Sequence, residues 1–166
     1  MRIYLIGITG CGKSTLGKSL AKSLGYEFID LDDYIINKQG KSIDLIFEES
    51  GEAYFRKLEQ EALHQLKGKK KVISTGGGAP CFFDNMDFMN TQGKTIWLNP
   101  DPEVVTDRLL SAPNSENRPL IKGKTREQIQ EFIKQKLQER QKFYSRAEVI
   151  ITHNNITAEM IANTLE

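Results

Sequence analysis

The stretch Gly7-Ile8-Thr9-Gly10-Cys11-Gly12-Lys13-Ser14-Thr15 constrains this chain more than any other. It stands between a short apolar run, Ile3 to Ile6, and Leu16, Leu20, Ala21 and Leu24, which recur at helical spacing. A strand, a glycine-rich turn and a helix in that order, with G-x-x-x-x-G-K-[ST] spacing, make a P-loop. Glycines let the backbone curl with its N–H groups inward, and the helix behind adds the partial positive charge of its N-terminus. Gly10, Cys11, Gly12, Lys13, Ser14 and Thr15 are therefore the expected ligands of a nucleoside triphosphate. Lys13 is placed to reach the outer phosphates, and the Ser14 hydroxyl to hold a phosphate-bound Mg²⁺.

Strand and helix patterns alternate down the rest of the chain. Strands are expected at residues 2–6, 26–31, 72–75, 94–98 and 149–151. Helices are expected over 13–24, from about Tyr34 to Gly40, after the cap Ser42, beyond Gly51, after Pro102, after the cap Thr125 and at the C-terminus, with 81–93 partly helical. This predicts an α/β fold: one domain over residues 1–166, a five-stranded parallel sheet with helices on both faces. In such sheets ligands lie beyond the carboxyl ends of the strands, where 7–14, 30–33 and 76–78 all fall. The loop 112–124, rich in polar residues and holding two prolines, is expected to act as a mobile lid, and 32–60 as the substrate-binding segment.

Composition narrows the class. With 39% hydrophobic and 27% charged residues, 166 residues suit one ordinary globular domain. A net charge of +1 supplies no field toward nucleic acid or a membrane surface, and neither is expected as a partner. No apolar stretch is long enough to span a bilayer. Two cysteines, Cys11 and Cys81, make no disulfide framework, so a reducing, cytoplasmic setting is expected.

Three clusters beyond the P-loop separate a small-molecule kinase from a switch or a motor. Asp30 and Asp32, two residues apart at the end of the second strand, can both face the crevice. One can hold Mg²⁺ through water and the other accept a proton from an attacking hydroxyl. An acidic turn capping the next helix is the alternative. Arg56 can bind a carboxylate through two parallel hydrogen bonds, or simply pair with Glu59 or Gln60 on a surface. Gly76-Gly77-Gly78 lets backbone N–H groups approach an anion closely. Arg118, in the 112–124 loop, suits a lid that closes on the nucleotide and stabilises the transferred phosphoryl group, or is an ordinary exposed arginine.

Together these residues resemble the shikimate kinase family over almost the full chain. The carriers are Gly7–Ser14, Asp30-Leu31-Asp32, Gly51-Glu52 with Phe55-Arg56 and Glu59, Gly76-Gly77-Gly78, Arg118-Pro119-Leu120, and Arg140 followed by Tyr144 and Ala147. The resemblance implies transfer of the ATP γ-phosphate to the 3-hydroxyl of shikimate, in aromatic biosynthesis; a monomer is expected. It implies that Asp32 holds the substrate hydroxyls and serves as base, with Lys13 and Arg118 acting on the phosphates. Arg56, Arg140, Gly77 and Gly78 would grip the shikimate carboxylate and ring, and Phe47 and Phe55 would line that pocket. Asp30 and Ser74 would organise Mg²⁺ through water beside Ser14. Arg108 would lie along the adenine and Asn154 approach it from the other side. Another small polyol acid such as gluconate as acceptor, and a nucleotide-binding module without turnover, remain as alternative readings.

Overall fold

The computed structural model describes residues 1–166, save the side chain of Asn117. The central strand is β1 (Arg2–Ile6), whose Ile3, Tyr4, Leu5 and Ile6 are all fully buried. A continuous apolar run of this kind suits a strand covered on both faces. Around it, β2 (Glu27–Asp30), β3 (Lys71–Ser74), β4 (Lys94–Leu98) and β5 (Val149–Ile151) form one sheet of order β2-β3-β1-β4-β5. Every pairing is parallel. The chain runs first to one side of β1 and then to the other, which opens a crevice beyond its carboxyl end.

Side chains alternate along the strands and divide the interior into two cores. Ile3, Leu5, Val72, Ile96 and Leu98 face one side, under α1 (Lys13–Leu24), α5 (Pro102–Ser111), α6 (Arg126–Tyr144) and α7 (Ala158–Asn163). Tyr4, Ile6, Ile73 and Trp97 face the other, under α2 (Leu31–Gln39), α3 (Ile43–Gln65) and α4 (Asn85–Gln92). Helix α6 serves both: Ile129 and Ile133 lie in the first core and Tyr144 in the second. The helix starts at a full capping box, Thr125 with Gln128, immediately after the 112–124 loop.

One boundary that differs from expectation bears on the site. Strand β2 ends at Asp30, and α2 begins with the next residue. The Asp30 carboxylate accepts the N–H groups of Asp32 at 3.0 Å and Asp33 at 3.3 Å, so it is the helix cap. Asp32 therefore stands in the first turn of a helix, not two residues along a strand. An aspartate that can satisfy orphan N–H groups starts a helix as soon as the chain supplies one. The two helices expected on either side of Gly51 are both present, joined within α3 across a break at Gly51 with φ 82° and ψ 171°. The 112–124 loop holds one short 3-10 turn, Ser115–Asn117.

Candidate active site

A cleft of about 630 Å³ opens at the carboxyl end of the sheet. Its floor is the P-loop, with Thr9, Gly10, Gly12, Lys13, Ser14 and Thr15 on the wall. Gly10 has φ 85°, and a methyl group there would sit 2.8 Å from Leu109 Cγ, so only glycine lets α5 close against the loop. Lys13 is nearly buried; its Nζ donates to the carbonyls of Gly7 at 2.8 Å and Ile8 at 3.0 Å. Ser14 Oγ donates to Asp30 Oδ2 at 2.6 Å and lies 3.3 Å from Ser74 Oγ. Three oxygens from α1, β2 and β3 thus meet at the head of α1. Among the described residues, no three His, Cys, Asp or Glu side chains cluster around a metal position. That set suits a hard cation that takes most of its ligands from phosphate and water.

The other end of the cleft is built around Gly76-Gly77-Gly78. A methyl group on Gly76 would come within 2.9 Å of Glu59 Oε2 and 3.2 Å of Asp32 Oδ1. On Gly77 it would meet Arg140 Nη1 at 2.8 Å, and on Gly78 both terminal nitrogens of Arg56 at 2.5 Å. Three consecutive glycines therefore bring Asp32, Glu59, Arg140 and Arg56 together. The absence of side chains, more than backbone freedom, is what the motif supplies.

Arg56 is buried, with Nη1 donating to Glu59 Oε1 at 2.6 Å and Nη2 to Glu52 Oε1 at 3.2 Å. Its guanidinium lies 4.3 Å from the Phe82 ring centroid and 5.4 Å from that of Phe55. Phe47 packs on Phe55 at 4.9 Å between centroids. The expected Arg56–Glu59 pairing exists, but inside the protein, where a lost partner leaves an uncompensated charge. Burial pushes the Glu59 carboxyl up to about 7, against the pull of Arg56. Asp32 is also raised, first by burial and then by the neighbouring Asp30 carboxylate, with Lys13 and Arg56 opposing. Asp32 Oδ1 and Glu59 Oε2 are buried without a hydrogen-bond partner.

Asp30, Asp32, Ser74, Gly77, Arg108 and Arg118 line the main cleft with the P-loop. Arg56, Arg140, Gly78, Phe47, Phe55, Cys11 and Asn154 do not. The first two stand directly behind the glycines. Arg108 donates through Nη1 to the Cys11 carbonyl at 3.1 Å and through Nη2 to the Asn154 carbonyl at 2.8 Å. The Asn154 side chain is engaged with Asp101, accepting its N–H at 3.0 Å and donating to its Oδ2 at 2.9 Å. The apolar wall on that side comes from Leu16, Leu109, Ala112 and Ile156.

Glu59 is expected only as a pairing partner of Arg56 and Tyr144 only as a mark of the family pattern, while Phe82 and Ile156 carry no expected role. The F-R-x-x-E spacing puts Glu59 one turn from Arg56, and Tyr144 lies one turn beyond Arg140. Tyr144 is fully buried, and its hydroxyl donates to the Gly77 carbonyl. Phe82 and Ile156 carried no such spacing.

A P-loop, a loop that brings Arg118 to the cleft wall, and a second basic and acidic cluster beside the same crevice define an ATP-dependent P-loop kinase of small molecules. Comparison with known proteins narrows this. The family model described as shikimate kinase matches residues 9–166. A shikimate kinase of Bacteroides thetaiotaomicron is 46% identical over 157 residues, covering 94% of this chain and 89% of that protein. A crystal structure of shikimate kinase from Bacteroides thetaiotaomicron superposes with a TM-score of 0.92 at 44% identity, over 99% of this chain and 96% of that one. A shikimate kinase from Acinetobacter baumannii, solved in complex with shikimate, gives 0.84 at 34% identity, over 99% and 89%. The chain belongs to the shikimate kinase family.

Proposed function

We propose that this kinase transfers the γ-phosphate of ATP to the 3-hydroxyl of shikimate, giving shikimate 3-phosphate and ADP. The observation that carries the reading is the gathering of Asp32, Arg56 and Arg140 around Gly76–Gly78, beside the P-loop. Two guanidinium groups suit one carboxylate of a small acid, and a facing carboxylate suits the hydroxyl that attacks.

Asp32 orients the acceptor hydroxyl and takes its proton; a carboxyl raised by burial is a better base than an exposed one. Arg56, Arg140 and the N–H groups of Gly77 and Gly78 hold the acceptor carboxylate, with Phe47 and Phe55 along the ring. Lys13 and the P-loop amides of Gly10, Cys11, Gly12, Ser14 and Thr15 hold the phosphates. Arg118, on the 112–124 lid, closes on the transferred group and excludes water. Arg108 and the turn at Asn154 border the adenine. Mg²⁺, when bound, neutralises charge on the phosphates; Ser14 would hold it directly, and Asp30 and Ser74 through water. Phosphoryl transfer needs little covalent help, so positioning and charge carry most of the rate.

The same reading takes residues 1–166 as one domain, with 32–60 for the acceptor and 112–124 as lid, acting as a cytoplasmic monomer. Cys11 and Cys81 are both free, which accords with a reducing compartment. Among the described residues, no helix is long and apolar enough to cross a membrane. The test is ADP release coupled to shikimate and Mg·ATP, run beside gluconate and other polyol acids. Turnover should depend on shikimate; equal turnover with another acid, or none with any, rejects it.

A further inference from the structure

We propose that Tyr144 is a positioning residue for the acceptor, its hydroxyl fixing the Gly77–Gly78 peptide so that the Gly78 N–H faces the acceptor carboxylate. The inference rests on the shikimate reading above and adds to it a residue that touches neither substrate. The Tyr144 hydroxyl donates to the Gly77 carbonyl, and the side chain is fully buried against Trp97, 5.5 Å between ring centroids. In a trans peptide the C=O of one residue and the N–H of the next point in opposite directions. Holding the Gly77 carbonyl toward α6 therefore turns the Gly78 N–H away from α6.

The neighbouring amides are already committed. The Ala79 N–H returns to the Gly76 carbonyl at 3.2 Å and the Cys81 N–H to the Gly78 carbonyl at 2.9 Å. Among the described residues, the N–H groups of Gly77 and Gly78 have no backbone acceptor. A glycine triplet lacks side chains that could resist peptide rotation, so an outside hydrogen bond must set its orientation. Helix α6 provides this beside its arginine: Arg140 Nη1 abuts Gly77 from one turn earlier. One helix face thus supplies both a charge for the acceptor and the alignment of the amides beside it.

The test is Tyr144→Phe, which keeps the packed ring and removes only the hydroxyl. Wild-type protein is assayed first, because absence of shikimate-dependent turnover there rejects the reaction and not the role of Tyr144. The variant should lose about tenfold in kcat/KM for shikimate, mostly through KM, with the KM for ATP within about twofold. With the methyl ester of shikimate, which lacks the anionic carboxylate, the penalty should vanish. An equal penalty on acid and ester, a matching loss in ATP KM, or unchanged kinetics overturns the proposal. In isotope-labelled wild type, the Gly78 amide resonance should move on adding shikimate and stay in place with the ester. A stationary resonance overturns the proposal even if Tyr144→Phe does not fold.

Discussion

Gly78→Ala is the sharpest probe of how the acceptor cluster is built. The backbone at Gly78, φ −89° and ψ −17°, is one that alanine adopts freely, and the change should by itself stabilise by about 0.4–1 kcal/mol through the unfolded chain. The added methyl group, however, would lie 2.5 Å from both terminal nitrogens of Arg56 and 2.7 Å from its Cζ. Ordinary contact begins at about 3.5 Å, so the guanidinium must retreat by roughly 1 Å. It is held by Glu59 at 2.6 Å and lies over the Phe82 ring at 4.3 Å. Breaking a buried pair outright costs about 3–5 kcal/mol, and stretching it should cost about half of that. The net loss, about 1–2 kcal/mol, corresponds to a fall of roughly 2–8 °C in Tm for a chain of this size. A shift of about 1 Å in a clamp can cost about a hundredfold in rate. Steady-state kinetics should show KM for shikimate raised by roughly that factor. Calorimetric titration should show ATP affinity unchanged, since Gly78 does not line the nucleotide cleft. A KM within about twofold of wild type would refute the reasoning, and a lower Tm with normal KM would reduce Arg56 to a structural residue.

Asp32→Asn should lose at least about a hundredfold in kcat with ATP binding nearly intact, measured by single-turnover kinetics and titration; normal turnover removes the base or orienting role. Burial raises the Glu59 carboxyl to about 7, so on acidification the folded state takes up its proton before the unfolded chain, whose carboxyl lies near 4.5. The resulting stability is complete below the unfolded value and is lost as pH rises through about 7, by up to about 3 kcal/mol. Glu59→Gln should flatten that slope in Tm between about pH 5 and about pH 8, and an unaltered slope assigns it to other groups. Gly51→Ala should cost about 1–3 kcal/mol by denaturant unfolding. No atom lies within 4 Å of the added methyl, so the loss is backbone strain at φ 82° alone, and a neutral substitution would show that the break in α3 relaxes freely.

The features legible in the sequence are those fixed by local chemistry. Ile3 to Ile6, the P-loop and the capping residues Ser42 and Thr125 each dictate their own conformation within a few residues. The start of α2 lies earlier than the pattern near Tyr34 indicates because an aspartate after a strand can either extend it or cap a helix, and only the second satisfies the N–H groups of Asp32 and Asp33. The helical spacing around Gly51 shows both the break and the longer helix that resumes past it. Arg56 is a sharper case. Its spacing to Glu59 fits an exposed helix pair as well as a buried one, and burial depends on Phe82 and Gly78, which arrive from another part of the chain. Asn154 is held by Asp101, a contact of long sequence separation that no local pattern announces.

The sequence contains a single tryptophan, Trp97. It lies 5.5 Å from Tyr144, and a methyl group on Gly7 would sit 3.5 Å from its Cδ1, so its indole is buried in the core between the start of the phosphate loop and the tyrosine that holds Gly77. Its emission therefore comes from one known place, unmixed with any other indole. The protein carries its own fluorophore in the wall behind the phosphate loop, one residue removed from Gly77 through Tyr144, so a change in packing there can be followed in real time without attaching a dye.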